Sequence, residues 1–472
     1  MITPTPLLLR RTFLFIQLGL LSLGLTLGAI AAPPAAPAVN QDVARETLAP
    51  ANTSVYTIEV VADRPEGLYK SGETATFKIR LLGDGKPVVG ETVSYLLQGE
   101  KFFRSSGTLS SAVEPATVPV KLDGPGFVLC EVSFRPKGDG KNEVRAAAGV
   151  GADPLALRAA TPEPADFDAF WTAQKAELAK VPLKELERVE VPIADAAKSA
   201  LVVQYDVKVD CAGGVPVSGY LTLPRNAKPK SLPIILSYHG AGVSSSRPQV
   251  DRAAKGFLCM DVNAHGIVNG KSQEFYDTLR AGGLREYYMW GNKSRDTAYF
   301  RGMFLRVLRS LEYMKSLPEW DGKNVIVSGG SQGGAQALVA AGLDPQVTYC
   351  SAAAPWLCNF TGVTEGSVPP SWPGFIKMNG QQVATPDEAK ALAYFDPALM
   401  AKRIKAECGV SVGYQDRACP PASVYVAYNN IPGKKQIYDC PLDTHKGPSI
   451  YQKCNDALSK YLEQLKAATP AN

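Results

Sequence analysis

Hydrophobic and polar positions divide the chain into two patterns. From residue 55 to 150 they form short, partly alternating runs: SVYTIEVVA, TATFKIRLL, ETVSYLLQ and FVLCEVSF. Turn sequences rich in glycine and aspartate (KSGE, GDGK, DGPG, GDG) separate them. Period-two alternation between such turns predicts strands, and this many short strands predicts a small all-β sandwich of immunoglobulin type. It holds no histidine. The plain reading is a spacer or positioning module; the sharper one is a carbohydrate-binding module.

After about 155 the pattern alternates. PADFDAFWTAQKAELAKV has a helical period, ALVVQYDVKVD and SGYLTLP read as strands, and LPIILSY as a buried strand ending at His239-Gly240. FLCMDVN follows, then a long helix over about 295–316, the strand NVIVSG, an alanine-rich helix, VTYCSAAA, CGVSVG, KQIYD and a closing helix from about 449. Strands alternating with helices predict a mostly parallel sheet covered on both faces, here an α/β-hydrolase fold over 155–470. The change of composition near 150 predicts that this second part folds without the first.

The chain of 472 residues suits two domains. Its formal charge of +5 falls by two when Arg10 and Arg11 are set aside, so no nucleic acid or acidic partner is implied. Those arginines precede TFLFIQLGLLSLGLTLGAIAA. A basic start, an apolar core and small residues at Ala29-Ile30-Ala31 predict a signal peptide over 1–31 and an exported protein, periplasmic or extracellular. An Ala/Pro-rich linker follows at 32–54, and no later stretch is apolar enough to span a bilayer. Nine cysteines cannot all pair; Cys440 with Cys454 is one conceivable disulfide, while Cys259 and Cys350 read as buried thiols. No CxxC or histidine cluster suggests a metal.

The stretch VIVSGGSQGGAQALVAAG at 325–342 carries the chemistry. Gly329-Gly330-Ser331-Gln332-Gly333 fits G-x-S-x-G, a nucleophile elbow between strand and helix. Serine needs a base, and in this fold class the order is Ser, acid, His. Of the three histidines, His239, His265 and His445, only His445 follows Ser331. Asp416, Asp439 and Asp443 are the candidate acids; an acid at the neighbouring strand end suits the geometry, which favours Asp416. The backbone N–H of Gln332 and one from the loop after LPIILSY, at Ala241, suit an oxyanion hole.

GGSQGG, YHGAG, PADFDAFW, DTAYFRG, APWLCNF and QDRACPPASVYVAYN together resemble the acetyl xylan esterase/cephalosporin C deacetylase family, carbohydrate esterase family seven. The resemblance covers about 160–467. It implies Ser331 as nucleophile, Asp416 as acid, His445 as base, Ala241 and Gln332 at the oxyanion hole, no cofactor, and acetate removal from sugars such as short xylo-oligosaccharides. Trp356 and Trp372 are candidates for a sugar site or for the core. Three positions depart from the family: Ala241 replaces Tyr after His-Gly, His265-Gly266-Ile267 replaces Arg-Gly-Gln, and Lys446 replaces a glutamate. The alternatives are a serine peptidase or other acyl hydrolase of the same fold, or a dead hydrolase shell that binds carbohydrate. Oligomeric state is left open.

Overall fold

The computed structural model describes residues 55–101, 103–137, 142–159, 162–360, 362 and 385–468. The expected signal peptide, the linker and Trp372 lie outside these residues.

The N-terminal strands are β1 (Tyr56–Ala62), β2 (Leu68–Tyr69), β3 (Thr74–Gly83), β4 (Lys86–Pro87), β5 (Thr92–Gly99), β6 (Arg104–Ser110), β7 (Ala116–Lys121), β8 (Gly126–Phe134) and β9 (Val144–Ala152). Four of them form one sheet, in which β3 pairs with β1 on one edge and with β4 and β7 on the other. The other five form a second sheet in the order β2-β9-β8-β5-β6. The sheets pack face to face through Phe77, Ile79, Val118, Leu97, Cys130, Val132 and Val150, residues whose alternation puts them on the inner faces.

The second part carries β10 (Glu185–Glu190), β11 (Val202–Val209), β12 (Val217–Pro224), β13 (Leu232–Tyr238), β14 (Leu258–Val262), β15 (Trp320–Gly330), β16 (Tyr349–Ala353), β17 (Glu407–Gly413) and β18 (Lys435–Cys440). They form one sheet in the order β10-β11-β12-β14-β13-β15-β16-β17-β18. From β14 to β18 every pairing is parallel; β10, β11 and β12 join antiparallel. The architecture is therefore mixed α/β. Strands β13 to β17 are buried apolar runs, as a sheet covered on both faces requires. Helix Tyr299–Ser316 packs on one face through Phe300, Phe304, Val307 and Leu311. The last helix, Pro448–Ala467, covers the other through Leu458 and Leu462, against Ile235, Cys259 and Ile326.

Two local differences from the sequence reading have simple causes. Strand β10 escapes an apolar search because ELERVE is exposed at every position, as an edge strand allows. The long helix begins at Tyr299 rather than 295, because Thr297 and Ala298 donate their N–H groups back to Ser294 in a turn. The composition change near 150 marks no gap in packing: Phe127 of β8 is 5 % exposed and belongs to the core of the second part. All the described residues fall in one compact unit.

Candidate active site

The loops of interest leave the same edge of the parallel sheet. Ala241 follows β13, Ser331 follows β15, Asp416 follows β17 and His445 follows β18. This carboxyl edge is where open α/β sheets hold ligands.

Ser331 has φ 56° and ψ −123°, a conformation that a non-glycine residue adopts only under constraint. Its backbone is clamped: Ser331 N–H donates to Ala353 O at 2.9 Å, and Ser331 O accepts from Trp356 N–H and Ala335 N–H, both at 3.0 Å. The turn is tight enough that a Cβ on Gly333 would lie 2.0 Å from Tyr238 O, and one on Gly329 2.3 Å from Gly333. The glycines around the serine are thus fixed by close backbone approach. Helix Gln332–Leu343 begins at the next residue, directing its first N–H groups to the corner.

The Ser331 hydroxyl donates to His445 Nε2 at 3.1 Å, and His445 Nδ1–H donates to Asp416 Oδ2 at 2.8 Å. All three residues are at most 5 % exposed. Asp416 Oδ1 also accepts from the N–H groups of Ala418 and Cys419, both at 2.8 Å, which holds the carboxylate at the head of its loop. The other two candidate acids are engaged elsewhere. Asp439 Oδ1 accepts from the hydroxyls of Tyr414 and Tyr425 at 2.8 and 2.6 Å. Asp443 Oδ2 accepts from Ile450 N–H at 2.8 Å, in the first turn of the last helix.

The His239-Gly240-Ala241 loop passes beside the serine: a Cβ on Gly240 would lie 3.8 Å from Ser331 Cβ. His239 donates from Nδ1 to Gly240 O at 2.8 Å and accepts from Ala264 N–H at Nε2, so it braces the loop. Burial lowers its pKa.

Three residues that sequence reasoning left without a role complete the site. His265 donates from Nε2 to Gly242 O at 2.8 Å and accepts at Nδ1 from the Tyr299 hydroxyl at 2.6 Å. Burial, and secondarily the adjacent His239, pushes its pKa down to about 3. Tyr287 lies edge-on to His265 at 4.6 Å and donates its hydroxyl to Gln332 Oε1 at 2.5 Å. One network therefore joins the segments carrying Ala241 and Gln332. The available sequence signal was polar NAHG directly after the apolar strand LCMDV.

Cys419 lies beside Asp416 and His445. Burial first, then the charge of Asp416, holds its thiol well above the usual range. Among the described residues, Asp416, Cys419 and His445 are one grouping with metal-ligand atoms within 4.8 Å of one another, but its carboxylate and imidazole already bond to each other. All nine cysteines are buried and free, so the conceivable Cys440–Cys454 disulfide is not formed. Trp356 is 2 % exposed and meets Phe300 ring to ring at 6.0 Å. It offers no open face to a sugar, because its place behind the serine corner is filled by core residues.

The acetyl xylan esterase family model (AXE1) matches residues 155–465. The chain belongs to the acetyl xylan esterase family. It is 31 % identical over 397 residues to the acetyl esterase Axe7A of Xylanibacter ruminicola, covering 83 % of this chain and 87 % of that one. Among solved structures it is similar to the acetyl xylan esterase from Paenibacillus sp. R4, with 27 % identity, TM-score 0.56, and coverage of 66 % of this chain and 98 % of that one. It is also similar to acetyl xylan esterase 1 from Thermoanaerobacterium sp. JW/SL YS485, with 25 % identity, TM-score 0.54, and coverage of 64 % and 96 %. As a member of the acetyl xylan esterase family it is a carboxylic ester hydrolase.

Proposed function

We propose that this acetyl xylan esterase family member is exported and removes acetyl groups from acetylated sugars such as xylo-oligosaccharides through an acyl-enzyme on Ser331. One observation carries the reading: the unbroken chain from Ser331 Oγ through both ring nitrogens of His445 to Asp416. In this reading Ser331 Oγ attacks the acetyl carbonyl carbon while its proton passes to His445 Nε2. The N–H groups of Ala241 and Gln332 hold the oxyanion, where charge develops. The intermediate collapses as His445 returns the proton to the departing sugar oxygen. Water, deprotonated by His445, then attacks the acetyl-serine ester and releases acetate. Asp416 keeps the hydrogen on Nδ1 and stabilises the imidazolium.

The same reading takes the nine-stranded sheet as an α/β-hydrolase core and the two N-terminal sheets as an immunoglobulin-like sandwich. Its support is the run of parallel strands ending at the serine corner and the face-to-face packing of the first two sheets. Export rests on the basic, apolar and small-residue succession of 1–31.

Acetate release from a panel of acetylated xylo-oligosaccharides, beside peptide substrates, tests the proposal on wild type and Ser331→Ala. Wild type should release acetate and take up a fluorophosphonate serine probe; Ser331→Ala should do neither. Peptide cleavage with no acetate release would assign the site to a peptidase. Failure of the wild type to label would mean an inactive shell.

A further inference from the structure

Strand β9 reads VRAAAGVGA. Ala148, Val150 and Ala152 point into the N-terminal core. The alternate positions, Gly149 and Gly151, are also buried, although they lie on the outer face of the sheet. Glycine inside a strand is unfavourable unless another group must come close. Here two groups do. A Cβ on Gly149 would lie 2.3 Å from Tyr414 O, and one on Gly151 2.5 Å from the Phe127 ring. A Cβ on Gly67 would meet the Tyr414 ring at 3.3 Å.

Phe127, seated on Gly151, meets Tyr414 edge to face at 5.1 Å and Tyr425 at 5.5 Å. Four residues further along the same face of β8, Glu131 pairs with Arg417 at 2.7 Å. Tyr414 and Arg417 bracket Asp416. The N-terminal sheet thus grips the acid-bearing loop on both sides of its carboxylate, while Asp416 itself touches His445 and its own loop. The family model begins at 155, but the similarity to Axe7A covers 83 % of the chain, more than residues 155–472 contain. That likeness therefore extends into the strands that make this grip.

We propose that the N-terminal β unit is a buttress for catalysis: the outer face of β8 and β9, with Gly149 and Glu131 as positioning residues, sets the loop that presents Asp416 to His445. This rests on the reading of Asp416 as the acid. It differs from ordinary domain packing in requiring that turnover, and not only stability, depend on the fit at Tyr414.

The test compares three variants of the full chain on a small acetyl ester, with thermal unfolding measured alongside. Gly149→Ala drives a methyl group toward Tyr414 O. With the loop displaced by a fraction of an ångström, kcat should fall roughly tenfold to a hundredfold while KM stays within about threefold. Leu97→Ala opens a cavity in the N-terminal core, away from Tyr414. It should lower the unfolding temperature and leave kcat of the folded enzyme within about twofold. Equal kcat in Gly149→Ala and wild type, or equal losses in Gly149→Ala and Leu97→Ala, would overturn the proposal.

If Gly149→Ala does not fold, Glu131→Lys replaces it. Because the ion pair is partly exposed, kcat should fall about threefold and recover in Glu131→Lys/Arg417→Glu. An unchanged kcat in Glu131→Lys, or no recovery in the double variant, would overturn the proposal. Asp416→Asn separates the two readings. If it keeps full kcat, the acid assignment fails. If it collapses while Gly149→Ala is normal, only the buttress fails.

Discussion

His265 donates its Nε2 hydrogen to the carbonyl oxygen of Gly242 at 2.8 Å, one residue beyond the Ala241 amide. The ring is neutral when it makes this bond while accepting from Tyr299, and its pKa of about 3 lies well below the 6.5 of a free imidazole. Between those values the unfolded chain binds a proton at this residue and the folded chain does not. Acidification through that window therefore favours unfolding, by about 1.4 kcal/mol per pH unit for one such group. Above 6.5 the residue adds no pH dependence. His265→Gln removes the titration and retains an amide that can donate and accept. Urea unfolding of both proteins from pH 7 to 4.5 should show the wild type losing stability faster, with the difference closing toward acid. Parallel curves would mean that the folded ring takes up a proton as readily as the unfolded one.

Asp416 and Asp443 both lie close to His445 in the fold, but they do different work. Asp416→Asn should lower kcat on the order of 10⁴-fold with little change in unfolding temperature, as the same replacement does in a serine protease triad. Asp443→Asn weakens an acceptor for Ile450 N–H at the start of the last helix. Its expected cost is about 1 kcal/mol of stability, with kcat within about tenfold of wild type. A larger kcat loss in properly folded Asp443→Asn would reverse the two assignments.

Backbone crowding at the serine corner predicts a sharp contrast between glycines. Gly333→Ala places a Cβ 2.0 Å from Tyr238 O and should cost about 3 kcal/mol or more, or prevent soluble expression. A Cβ on Gly283 meets nothing within 4 Å, so Gly283→Ala should stay within about 0.5 kcal/mol of wild type. Chemical denaturation of the pair measures the difference directly.

The grouping of Ser331, His445 and Asp416 was legible because each is scarce or bracketed. G-x-S-x-G fell between a strand and a helix, one histidine followed it, and Asp416 opened the loop after the strand CGVSVG. Other features had no such bracket. Trp356 follows a buried strand, and composition alone gives a tryptophan there two equally good homes. The roles of His265 and Tyr287 arise from contacts between loops distant in sequence, which periodicity does not report. AAAGVGA hid its meaning most completely. A face built to receive another backbone consists of missing side chains, and a run of small residues resembles a weak strand.

The cysteines give a solution test that needs no substrate. Burial pushes Cys130 and Cys259 up to about 12 and Cys211 up to about 11. All nine are free, so native protein should give no reaction with a thiol reagent near neutral pH, and denatured protein should give nine equivalents. Reductant should leave the unfolding temperature unchanged. Seven equivalents after denaturation without reductant would reveal a disulfide.

The Glu131–Arg417 pair joins residues 286 positions apart. Closing so long a segment is costly in chain entropy, and the last stretch of a chain is made after the first has begun to fold. On the buttress proposal, the N-terminal sheets form first and β9 is the template on which the loop before Asp416 is moulded. In refolding, the β-sheet signal should recover before esterase activity. Activity that returned with or ahead of the sheet would show the loop setting itself. If the sheet signal does recover first, the loop that holds Asp416 is set late, against a β9 already in place.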